Sequence, residues 1–273
     1  MNPFLALTIN PLDHVKDSPL FEGLGGSLER FGEVLGYYGF TKQVFLFLLA
    51  GVITVAVFLY QARQARRERV PRGFANFLET AMLFVRDQMV RPFMGEHGDR
   101  YLPMIWSFFF FIAISNLLGM VPFFDFLGHG GNTPTGSIFL TASLAICSFF
   151  LYHGLGIREQ GFFPYLKNLF PHVPIFVLPI IIAVELLAHL VRPCALAIRL
   201  FANMLAGHIM LSTILGFTAV WVNWLHWGVA ISLVSFLGCV ALSFLELLVA
   251  VIQAFVFAFL TTVFLAGAVH PQH

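Results

Sequence analysis

Residues 174–221 read PIFVLPIIIAVELLAHLVRPCALAIRLFANMLAGHIMLSTILGFTAVW, and their only charges are Glu185, Arg192 and Arg199. A run this apolar belongs in hydrocarbon, where only helices and closed barrels satisfy every backbone polar group. Strict alternation of apolar and polar residues is absent, which argues against a barrel. As a single helix the run would extend about 72 Å at 1.5 Å per residue. The hydrocarbon core is only about 30 Å thick. The run therefore folds into two spans or tilts strongly. Residues 228–269 pose the same problem. Between them GFTAVWVNWLHWG (216–228) carries Trp221, Trp224 and Trp227, which suits a membrane interface. No segment as polar as 125–135 interrupts either run, so the preferred reading is two long, steeply tilted helices forming a hairpin.

The rest of the chain agrees with a membrane class. Of its 273 residues 59% are hydrophobic and 11% charged, with 33 Phe; soluble domains carry roughly 25% charged residues. That excludes an ordinary soluble globule, and also disorder, which needs low hydrophobicity and high charge. A net charge of +1 gives no field for nucleic acid. Cys147, Cys194 and Cys239 lie far apart, with no CxxC pair. They fit neither a zinc site nor a disulfide framework and read as buried small apolar residues. The first residues lack a basic segment followed by a long apolar run, so they do not read as a cleavable signal.

Further spans follow from hydropathy. Residues 1–40 form a polar, mildly acidic segment, and 41–273 read as one polytopic membrane domain with spans near 43–61, 101–124, 135–156, 174–220 and 228–269. After the first span come Arg63, Arg66, Arg67, Arg69 and Arg72. The positive-inside rule puts this loop in the cytoplasm and the N-terminus outside. FANFLETAMLFVRDQMVRPF (74–93) has apolar residues at helical spacing with charges between them, and reads as an amphipathic helix at the inner surface. The loop around Asp125 has no Lys or Arg and fits the outside, and that around Arg158 and Lys167 returns inside. The expected fold is thus an all-α membrane protein with about five transmembrane helices and one surface helix.

Polar residues in the apolar runs form a pattern. With Glu185 at zero and about 100° per residue, His189 falls near +40°, Arg192 near −20°, Arg199 near −40° and Asn203 near 0°. These share one face, although Pro193 removes a hydrogen bond to the carbonyl of His189 and can kink the helix. His208 falls about 140° away and lines another wall. Glu246 and Gln253, seven apart, share a face of the last helix. A charge at mid-membrane costs about 2.5–3.5 kcal/mol, so such residues pair, face water or mark an ion path. A purely structural alternative is an ion pair from Arg199 to Glu185 or Glu246. Arg stays protonated under all ordinary conditions, whereas burial and neighbours move His and Glu into the working pH range. A permanent cation flanked by titratable groups on two helices points to proton transfer with an electrostatic gate.

At IRLFANMLAGH (198–208) the chain closely resembles the a subunit of F-type ATP synthases, the membrane stator facing a rotating c-ring. YLPMIWSFFFFIAISNLLGMVP (101–122), TPTGSIFLTASLA (133–145) and IQAFVFAFLTTVFLA (252–266) extend the resemblance over roughly residues 40–270. It implies that Arg199 is the essential arginine. It also implies that Asn203, His208, Glu246 and Gln253 serve the outer half-channel and that Glu185, joined on its face by His189, serves the inner one. In some relatives the pair at positions 208 and 246 is Glu then His; His208 then Glu246 keeps one acid and one imidazole. The resemblance further implies tilted helices against the ring, c-ring and peripheral-stalk b subunits as partners alongside membrane lipid, and no cofactor or metal; the lack of a transit-like N-terminus favours a bacterial inner membrane. ATP chemistry belongs elsewhere, since no GxxxxGK[ST] loop is present. The alternative from another class is a secondary ion-coupled transporter with a buried ion-pair site, whose inverted repeats are not evident here. HExxH is absent, which disfavours an intramembrane metalloprotease.

Overall fold

The computed structural model describes residues 41–67, 72–120, 134–168, 178–222 and 228–269. Among them the chain is helical almost throughout. Helix α1 spans Lys42–Arg67. Helix α2 (Phe74–Val85) passes through a π turn at Arg86–Val90 into the short α3 (Arg91–Met94). A 3-10 stretch, Gly95–Tyr101, leads into α4 (Leu102–Gly119). Then come α5 (Ile138–Gln160), α6 (Phe162–Asn168), α7 (Leu178–Val222) and α8 (Gly228–Val269).

Among the described residues five helical stretches are long and apolar enough to cross a membrane: Lys42–Arg66, Phe74–Gly119, Ile138–Gln160, Ile180–Leu211 and Leu233–Val269. The two C-terminal runs are single helices of 45 and 42 residues rather than two spans each. Helix α7 continues through Pro193, which is buried. Helix α1 outlasts its apolar span, because the Gln, Ala and Arg residues that follow it are themselves good helix formers. The 1–40 segment and most of the 125–135 loop lie outside the described residues, as do the side chains of the Trp-bearing segment.

The 74–93 segment is helical, as its spacing predicts. It buries Ala75, Leu78, Val85, Met89 and Val90. Its opposite side exposes Phe74, Phe77, Leu83, Phe84 and Phe93, a face suited to hydrocarbon rather than to water. Beyond it, Asp99 accepts hydrogen bonds from Arg86 (Nε at 3.2 Å) and Arg91 (3.3 Å), closing the irregular turn on itself.

The cysteines differ from expectation. Cys147 and Cys194 are exposed and Cys239 is half-exposed. Outward faces here meet lipid, so a small, weakly polar thiol needs no protein cover.

The described chain divides into two compact units. One gathers residues within 1–51, 113–140 and 199–253, the other those within 52–112, 141–198 and 254–273. In the second, Val85, Met89, Met94, Ile105, Tyr152 and Leu265 belong to one apolar core. There Trp106 donates to the carbonyl of Met82 (3.0 Å), tying α4 to α2. In the first, the fully buried Asn116 on α4 donates to the carbonyl of Ala250 on α8 (3.0 Å) and accepts from Thr135 (2.8 Å). Those bonds set the register of α4 against α8 between Glu246 and Gln253.

Candidate functional site

In the first unit, α7 and α8 line a half-open cavity of about 190 Å³. Apolar side chains, Met204, Met210, Leu211, Leu242, Leu245 and Val249, form most of its wall, and Asn203 and Glu246 bring polar groups to it. Asn203 donates from Nδ2 to Oε1 of Gln253 at 2.8 Å. Gln253 is 3% exposed and Glu246 6%. Neither Oε1 of Glu246 nor Nε2 of Gln253 has a hydrogen-bond partner among the described residues. Buried polar atoms are normally satisfied. These two orphans, an acceptor and a donor, lie seven residues apart on α8.

Gly207 is the residue that makes room for Glu246. A Cβ at Gly207 would lie 2.6 Å from Oε1 of Glu246 and 3.0 Å from its Cδ. In the sequence the only signal of this glycine is a residue without a side chain about one turn from Asn203.

Arg199 lies on the exposed side of α7, with no ion pair among the described residues. The orphaned Oε1 of Glu246 agrees: an Arg199–Glu246 salt bridge does not form. His208 is half-buried and stands next to Gly207 in the chain. The structure thus brings together Asn203, Glu246 and Gln253, and leaves Arg199 presented outward.

The remaining candidates lie in the second unit. Arg192 donates from Nη1 to Nδ1 of His189 at 3.4 Å, and its guanidinium sits 5.2 Å from the ring centre of Phe264 on α8. The His189 ring is 5.3 Å from that of His153 on α5. Glu185 lies on α7, but its side chain is outside the described ones. Among the described residues no group of three or more His, Cys, Asp or Glu is arranged to hold a metal.

A family model described as "ATP synthase A chain" matches residues 44–266. The chain belongs to this family. Among similar members of the ATP synthase A chain family, the ATP synthase subunit a of Maricaulis maris is 36% identical, over 90% of this chain and 93% of its own. That of Myxococcus xanthus is 39% identical over 85% and 74%, and that of Sinorhizobium medicae 39% over 83% and 87%. With its five apolar helices, this member of the ATP synthase A chain family is a multi-pass membrane protein.

Proposed function

We propose that the chain is the stator subunit of a rotary ATP synthase, offering two offset aqueous half-channels to a c-ring and separating them with Arg199. The observation that carries this reading is the α7–α8 pocket, where Asn203, hydrogen-bonded to Gln253, and the buried Glu246 bring polar groups to apolar walls. A proton enters from outside past His208, Asn203, Glu246 and Gln253. It neutralises a carboxylate on a ring helix, which then enters lipid at far lower cost than the ionised form. After most of a turn the site reaches the inner path at Glu185 and His189 and gives up its proton. The new carboxylate meets the guanidinium of Arg199, which stabilises it and repels protons that would pass between the half-channels. Each proton crossing 100 mV supplies about 2.3 kcal/mol to rotation.

The exposed setting of Arg199 suits a cation that must meet a passing partner rather than hold two helices of its own chain together. The partners are a c-ring, peripheral-stalk b subunits and lipid, in a bacterial inner membrane with the N-terminus outside. The steep tilt of α7 and α8, paired as a hairpin, would lay their polar residues along the ring. The chain itself performs no ATP chemistry.

ATP-driven acidification of inverted vesicles tests this. Arg199→Ala is expected to abolish pumping while the complex stays assembled, and to raise passive proton leak. Normal pumping by an assembled Arg199→Ala complex overturns the reading.

A further inference from the structure

His153 lies on α5, seven residues before Gln160, so about 10 Å inside the end of that helix. The same end carries the Arg100–Glu159 ion pair at 2.8 Å and reads as the cytoplasmic end. The His153 ring stands against His189 of α7 at 5.3 Å and Phe149 at 4.3 Å. Its Nδ1 shares a hydrogen bond with the hydroxyl of Tyr165 on α6. Its Nε2 is buried without a hydrogen-bond partner among the described residues, as is the hydroxyl of the adjacent Tyr152. A histidine kept for packing has both nitrogens satisfied or stands at the surface. This one has a nitrogen engaged on one side and open on the other.

The neighbours complete the argument. Arg192 approaches Nδ1 of His189 at 3.4 Å. The guanidinium, held over Phe264 of α8, keeps a permanent positive charge beside both rings. The titratable or charged groups around His153 are Tyr152 on its own helix, Tyr165 on α6, and His189 and Arg192 on α7; α8 contributes Phe264.

We infer that His153, with Tyr165 as its hydrogen-bond partner, is a further proton-transfer residue, passing protons between His189 and the inner aqueous phase. This rests on the stator reading above. In the outward-to-inward direction, Nε2 of neutral His153 takes up a proton and the ring becomes an imidazolium. The proton on Nδ1 then moves to the Tyr165 oxygen as the hydroxyl proton passes to water, leaving a neutral ring. The ring and hydroxyl reorient before the next transfer. Nothing is oxidised or reduced, and one proton enters and one leaves.

The test uses inverted vesicles stripped of the catalytic sector, with the inner face towards the medium and an imposed potential driving passive proton flux. His153→Ala is expected to lower flux by about tenfold or more, the scale of a lost proton-transfer group. Imidazole added to the medium is expected to restore part of it. His153→Gln, which keeps polar contacts without titrating, is expected to fail in the same way without disturbing assembly. Tyr165→Phe is expected to shift the dependence of flux on inner pH. Wild-type flux in assembled His153→Ala and His153→Gln complexes overturns the inference. So does a loss that imidazole leaves unchanged, because a packing defect has no reason to respond to it. Arg199→Ala in unstripped vesicles reads the stator assignment separately. If it pumps, that assignment fails; if only the His153 variants behave as wild type, the assignment stands and this inference falls.

Discussion

Glu246 owes its place to the missing side chain at Gly207, and this couples two residues that look unrelated in the sequence. A methyl group at 207 would sit 2.6 Å from a carboxylate oxygen that has no other partner to hold it. Gly207→Ala is therefore expected to displace the carboxylate and to slow proton entry about tenfold at limiting outside proton concentration, since small misplacements cost that much or more. Glu246→Gln, which removes the titrating group, is expected to slow it about a hundredfold. Glu246→Asp, one methylene shorter, is expected to recover part of the loss in the Gly207→Ala background. Equal rates for Gly207→Ala and the Gly207→Ala, Glu246→Asp double variant would show that the clash is not what matters. Asn203, Glu246 and Gln253 were legible because a polar residue in an apolar helix stands out against its surroundings. Gly207 was not, since a small residue in a membrane helix has many uses. The contact of His153 with Tyr165 was not legible for another reason: it depends on how α5 and α6 pack, which helical periodicity does not encode.

At the scale of the helix, length decides. Apolar periodicity and the scarcity of charge made α7 and α8 legible, and 228–269 coincides with the helix observed. The preference for one long helix in each run rested on the absence of a polar interruption, and each is a single helix. The irregular passage from Arg86 to Tyr101 was not legible either; its π and 3-10 turns are closed by Arg86 and Arg91 on Asp99, a contact between residues that no period relates. The continuity of α7 has a measurable consequence. Ile180 and Met210 are both exposed, at 65% and 54%, and stand about 45 Å apart along the helix. An upright helix would put at least one of them in water, because the core is about 30 Å thick. A steeply tilted one keeps both in hydrocarbon, well beyond the usual tilt of about 20°. With Cys147, Cys194 and Cys239 replaced, spin labels at Ile180→Cys and Met210→Cys are expected to report oxygen access and protection from aqueous relaxants at both sites. Aqueous access at either one would return the helix to an upright setting.

For the whole molecule the question is how many times the chain crosses. Hydropathy alone gives Phe74–Gly119 as one long candidate of 46 residues. It is interrupted at Arg86–Tyr101 by non-α turns and a cluster of charges. If 74–93 stays at the inner surface, the chain crosses five times; if that segment crosses as well, the count becomes six. The two cases differ in parity, which loop charges cannot conceal. Five crossings put the two ends of the chain on opposite sides, and six put them on the same side. The arginines at 63, 66, 67, 69 and 72 place the first loop inside and the N-terminus outside. The expected result is therefore that a tag before Met1 is cut by protease in spheroplasts, while a tag after His273 is cut only in inverted vesicles. A cysteine at Gln64 should be labelled from the inner side alone. Both tags cut from outside would mean that 74–119 crosses twice. The α7–α8 pair would then be inverted, and the cavity at Glu246 would open to the cytoplasm rather than to the outside. Both tags cut only from inside would reject the positive-inside assignment itself. The direction of proton entry assigned to His208, Asn203, Glu246 and Gln253 thus hangs on a count of crossings, and on no single residue among them.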